Sequence, residues 1–127
     1  MIKFSEWEQK NFINSSSKPA LTVLFPSREI YFSNEFLNIL KLESSSAPKT
    51  LDQYYELCHP SDHEKIKIFE DFLYKSHENF FSLTRKLYCG DGVYRNLRID
   101  SFIMRDEKNK PVKLFGNEIL SLNAWLS

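Results

Sequence analysis

A chain of 127 residues, 42% apolar and 15% aromatic with only 3 Gly and 5 Pro, is sized for one domain with one core and excludes a low-complexity chain. Basic and acidic residues number 17 each, so the basic surplus that nucleic acid or an anionic membrane surface demands is missing. The 2 cysteines, Cys58 and Cys89, are too few for a disulfide scaffold and lack metal-ligand spacing.

The amino terminus, Met1 to Glu6, turns polar at once and has no apolar signal-peptide core. No apolar run approaches the roughly 18 residues of a membrane span. The expected setting is the cytoplasm, with both thiols free.

In chain order, Ser5-Glu6-Trp7-Glu8 is a capping box that predicts a short flanking helix over about 6–13. Ser15 to Pro19 then reads as a linker. Ala20 to Phe25 and Ile30 to Phe32 are β-favouring runs joined by Pro26-Ser27-Arg28-Glu29, which predicts a hairpin. Ser33 is placed to cap a helix over 34–41 with Phe36, Leu37 and Leu40 on one face. Ser44 to Pro48 reads as a loop.

Thr50-Leu51-Asp52-Gln53 is a second capping box, opening a short helix with Leu51, Tyr54, Tyr55 and Leu57, which Pro60 stops. Ser61-Asp62-His63-Glu64 is a third, and it predicts the longest helix, about 62–77. Ile66, Phe69 and Leu73, with Phe72 beside them, form its apolar stripe.

After Asn79 the period becomes two. Phe81, Leu83, Arg85, Leu87 and Cys89 share one strand face, and Gly90-Asp91-Gly92 is a tight turn. The returning strand sets Leu97, Ile99, Ser101 and Ile103 on one face, with Val93 and Arg95 extending it toward the turn. A polar turn over 105–110 leads to a last strand from Val112 to about Leu122. The class is therefore α+β: a five-stranded antiparallel sheet with short helices and one long helix on one face, plus the flanking helix. The division is flanking helix 1–14, linker 15–19, main domain 20–122 and tail 123–127.

Four motifs carry a family resemblance. They are Tyr31 to Phe36 at a strand end, His59-Pro60-Ser61-Asp62-His63, the hairpin Arg85 to Arg95, and Met104 to Glu107 followed by Pro111-Val112 and Leu114-Phe115-Gly116. In this order and spacing they resemble the PAS family over roughly residues 20–120. Asn96 stands where many members have Trp, and the Asp-Ile-Thr junction to an output helix is absent.

The resemblance implies a sensory or regulatory module of signal transduction, not an enzyme. It implies a small molecule held noncovalently, dimerisation, or both, and coupling to signalling output domains. The candidate pocket is Arg85, Phe69, Leu73, Leu83, Ile99 and Ser101. Arg85 stands out because a guanidinium on an apolar face needs a partner. That partner is either an anionic ligand held in bidentate fashion or an internal carboxylate such as Glu118 or Asp100, unless the strand twists Arg85 outward.

No metal site and no cofactor is expected. His63 and His77 fall at the ends of the long helix rather than at its centre, where haem-binding members place a histidine, and the cysteine signature of flavin-binding members is absent. Phe4, Trp7 and Phe12 are the candidate interface for a homodimer. Two other readings compete. One is a ligand-free interaction domain with a filled core, whose mark would be exposed Tyr88, Tyr94 and Phe102 on the outer sheet face. The other is a small enzyme using His59 and Asp62 as an acid–base pair.

Overall fold

A computed structural model describes residues 19–120, with side chains through Asn117. The flanking helix expected over 6–13, the candidate interface Phe4, Trp7 and Phe12, and the tail lie outside the described residues.

The described chain runs β1 (Ala20–Leu24), β2 (Glu29–Phe32), α1 (Asn34–Leu40), α2 (Leu51–Tyr55), α3 (His63–Lys75), β3 (Phe80–Tyr88), β4 (Tyr94–Arg105) and β5 (Pro111–Leu120). Single 3-10 turns lie at Ser44–Ser46 and Pro60–Asp62. The five strands form one antiparallel sheet in the order β2-β1-β5-β4-β3. The expected α+β architecture holds.

Ser33 shows why the first helix starts where it does. Its hydroxyl accepts from the Phe36 N–H at 3.2 Å and from the Ala20 N–H at 2.9 Å, which ties the helix to β1. Thr50 caps α2 by accepting from the Gln53 N–H at 3.2 Å, while the Gln53 side chain accepts from the Lys49 N–H at 2.7 Å.

The third capping box does not form. Pro60 sets a 3-10 turn before α3, so the capping side chain moves back to His59, whose Nδ1 accepts from the Ser61 N–H at 3.0 Å. Asp62 occupies the cap position of α3 without a side-chain cap bond, and the helix ends at Lys75, leaving His77 beyond it.

Inward-facing Leu21, Val23, Leu87, Leu97 and Leu114 of the sheet pack against Phe36, Leu40, Leu51 and Leu73 of the helices, all essentially buried. Each such side chain contributes about 1.5–3 kcal/mol through burial. Gly116 faces the same layer, and a β-carbon there would lie 2.6 Å from Ile99 Cδ1. Glycine at this site lets Ile99 fill the space.

The β3–β4 turn departs from expectation in one respect. Val93 is exposed, and Arg95 folds back to clasp Asp91 across the turn with bonds of 2.9 and 2.7 Å instead of extending the inward face.

Candidate functional site

Arg85 points inward from the middle of β3 and is 1% exposed. Its guanidinium donates to the Leu97 carbonyl at 3.0 Å and to the Tyr54 hydroxyl, and lies 5.6 Å from the centre of the Tyr54 ring. The desolvated cation is thus held by α2 and β4, not turned to solvent. Asp100, one of the two carboxylates weighed as its partner, sits on the opposite face of the sheet, where it accepts from Ser82 at 2.7 Å and pairs with Arg98 at 3.3 Å; the side chain of the other, Glu118, lies outside the described residues. Alternation along β4 forces the placement of Asp100, since Ile99 and Ser101 on either side point inward.

Phe69, Leu83, Arg85, Ile99 and Ser101 lie around one interior cavity that Tyr54 also lines. Leu73 does not join them. It is fully buried one turn further along α3 and does not line the cavity. The cavity measures about 20 Å³. One water needs roughly 10–15 Å³, and small-molecule sites typically span about 300–1,000 Å³. The space is taken by Tyr54, Phe69 and the Arg85 side chain itself. Tyr54 was legible as a helix residue; its role was not, because its contact with Arg85 spans 31 positions.

The acid–base pair His59 and Asp62 is not assembled. His59 Nδ1 lies 2.8 Å from the Ser61 hydroxyl, and its ring packs edge-on against Tyr94 at 4.8 Å. Asp62 turns the other way, accepting from the Lys86 N–H at 2.7 Å and pairing with Lys65 at 3.5 Å. Each group is held by a structural contact. His63 and His77 are exposed, and no cluster of three or more metal-ligating side chains occurs among the described residues.

The outer face of the sheet carries the other candidate surface. Register places Tyr31, Thr22, Phe115, Phe102 and Phe80 in one row across all five strands, of which Thr22 is buried and Phe115 half-buried. Phe102 is 53% and Phe80 49% exposed, with their rings 5.1 Å apart. Tyr88 and Tyr94 form a second exposed pair, 5.0 Å apart, near the β3–β4 turn. Sequence alternation located Tyr88, Tyr94 and Phe102 on this face; Phe80 was missed because the strand begins one residue earlier than its periodicity implies.

A polar network joins the β1–β2 turn to both α2 and α3. Arg28, in a left-handed conformation at φ 67, pairs with Asp52 at 3.0 Å and Glu70 at 2.7 Å and donates to Tyr74 at 2.6 Å. Tyr55 donates to the same Glu70 at 2.9 Å. Burial and the Glu70 carboxylate drive the Tyr55 phenol well above its usual range, while Asp52 and Glu70 raise Arg28 against its own desolvation. This cluster is a structural latch.

No curated protein matches the chain in sequence. Solved structures do match in fold. A sensory box histidine kinase/response regulator from Burkholderia thailandensis superposes with TM-score 0.67 at 15% identity, covering 91% of this chain and 83% of that one. The N-terminal domain of a diguanylate cyclase with PAS/PAC sensor from Marinobacter aquaeolei gives 0.69 at 16% identity, covering 81% and 94%. The PAS-B domain of Drosophila melanogaster Cycle, with bound ethylene glycol, gives 0.67 at 9% identity, covering 81% and 99%. The family model for the PAS fold matches residues 29–117, from the first residue of β2 to the middle of β5. With that match over most of its length and the sheet order and helix placement described above, the chain belongs to the PAS family.

Proposed function

We propose that this PAS domain is a signal-transduction module that works by protein contact, with an interior too full to capture a small molecule. The observation that carries the reading is the cavity of about 20 Å³ at the centre of the candidate pocket. Arg85, the residue best suited to an anionic ligand, is already bonded to Leu97 and Tyr54. Among the described residues no histidine lines that cavity, which supports a reading without haem.

The aromatic pairs Phe80–Phe102 and Tyr88–Tyr94 support an interaction role, since exposed apolar patches of this kind mark protein surfaces that meet others. Two of the solved neighbours name a histidine kinase and a diguanylate cyclase alongside the sensor. By analogy, any catalysis coupled to this domain resides in a separate output unit, and the domain itself is not an enzyme. Two free, buried thiols fit a reducing cytoplasm, and no helix among the described residues is long and apolar enough to cross a membrane. A formal charge of zero supports a partner other than nucleic acid.

Native mass spectrometry of protein purified from its own host, beside a denatured control, tests the reading. The expected result is the mass of the chain alone or of its multiples. A reproducible excess mass that disappears on denaturation would show a bound small molecule and overturn it.

A further inference from the structure

β3 is an edge strand, with β4 as its neighbour on one side. The Ile103 N–H donates to the Asn79 carbonyl at 2.8 Å, so odd-numbered backbone groups of this segment face β4 and even-numbered ones face away from the sheet. Toward the β3 carboxyl end those outward groups are covered. The Tyr88 N–H donates to Leu57 at 2.8 Å, the Lys86 carbonyl accepts from His59 at 2.9 Å, and the Lys86 N–H reaches Asp62. Lys65 donates to the Thr84 carbonyl at 2.9 Å.

Toward the amino end nothing comparable occurs. The outward groups of Phe80 and Ser82 and the Thr84 N–H have no hydrogen-bond partner among the described residues. Proteins commonly block such edges with a charge, a proline, a bulge or a covering segment. Phe80–Thr84 contains no charge and no proline.

We propose that a second copy of this chain pairs antiparallel along Phe80–Thr84, centred on Ser82, joining two sheets at their β3 edges. Centring on Ser82 engages the most open groups, since centring on Phe81 or Leu83 would pair only two of Phe80, Ser82 and Thr84. Centring on Thr84 would run the added strand into Lys86, whose N–H and carbonyl are both engaged. Centring on Phe80 would require Glu78, whose carbonyl is held by the Arg105 guanidinium at 3.0 Å. Centring on Ser82 needs only Phe80, Ser82 and Thr84, and the Thr84 carbonyl keeps a second lone pair beside Lys65.

Charge supports a second copy over an unrelated strand. In this register Glu78 lies across from the partner's Lys86, and the two-fold axis makes the pair twice. Both residues are exposed, and among the described residues neither has an ion-pair partner. Opposite charges directly across strands stabilise pairing and like charges oppose it. The Phe80–Phe102 pair of each copy would then lie on one continuous outer face.

A pairing of this length is smaller than the roughly 1,200–2,000 Å² of stable complexes, so the dimer is weak and reversible. Sedimentation velocity of the full chain, up to about 1 mM, is the test. The expected result is a concentration-dependent dimer that Glu78→Lys weakens by about tenfold or more and that Glu78→Lys with Lys86→Glu restores. Ser82→Pro, which removes the central outward N–H, should abolish it. If Ser82→Pro fails to fold, the charge swap decides alone. A chain that stays monomeric throughout overturns the proposal, as does a dimer whose strength is unchanged by Glu78→Lys. Neither result touches the ligand question, which the bound mass answers separately.

Discussion

Replacing Tyr54 with Phe would remove one oxygen from the interior and change no shape. That oxygen accepts from Arg85, a guanidinium 1% exposed. A buried donor left unsatisfied costs about 1–3 kcal/mol, toward the upper end when it carries charge. Tyr54→Phe is therefore expected to lower stability by about 2 kcal/mol in urea denaturation, at an unchanged m-value. A loss below about 0.5 kcal/mol would mean that Tyr54 contributes packing alone and that the guanidinium is held elsewhere. The contrast with Ser82 and Asp100 is informative. Their hydrogen bond of 2.7 Å lies on the outer face, where water substitutes for either partner. Burial, not bond length, sets how much a polar contact matters here.

At the scale of elements, the β3–β4 turn is held by chemistry close in sequence. Gly92 takes φ 81, which Asp-Gly supplies readily, and Arg95 clasps the Asp91 carboxylate with two bonds. The hydrogen bonds and charge of Arg95 lower the Asp91 pKa to about 2 from 3.8. Because the folded value is depressed, the clasp is fully present above pH 4 or so and is lost as pH falls through about 2. Carbon-13 NMR of the Asp91 carboxyl should show a midpoint near 2, returning toward 3.8 in Arg95→Ala. An unshifted wild-type midpoint would show that the clasp does not persist in solution.

Such local devices were readable from the sequence. Strand alternation placed Leu83, Arg85 and Leu87 on one face because side-chain period in a strand is strictly two. Ser33 and Thr50 were legible as caps because their partners lie three residues ahead. The start of α3 was not, since Pro60 shifted the capping role to His59, and Asp62 was drawn off by Lys86, 24 residues away. Phe80 was missed for a similar reason. A strand's first residue is fixed by its partner, here Phe102, rather than by its own periodicity. Whether inward-facing residues enclose a pocket or a packed core was also beyond the sequence, which names the side chains at a site but not the volume left between them.

Across the whole molecule, that volume is what separates a chemical sensor from a contact module. Phe69 is the side chain to remove, because it lines the cavity, is 5% exposed, and packs on Phe81 with ring centres 5.2 Å apart. Phe69→Ala should cost about 3–5 kcal/mol, the transfer term plus the cost of the void. An apolar void of this kind stays dry and accepts small hydrophobic molecules. Adding benzene or indole should then raise the melting temperature of Phe69→Ala, because a ligand that binds only the folded state stabilises it in proportion to its occupancy. Wild type should show no such shift at the same concentrations. If wild type responds equally, the interior opens in solution to admit a ligand, and the fold acts as a chemical sensor after all. If only the variant responds, one phenyl ring at position 69 is what closes the PAS interior and leaves the surface of the sheet to carry the signal.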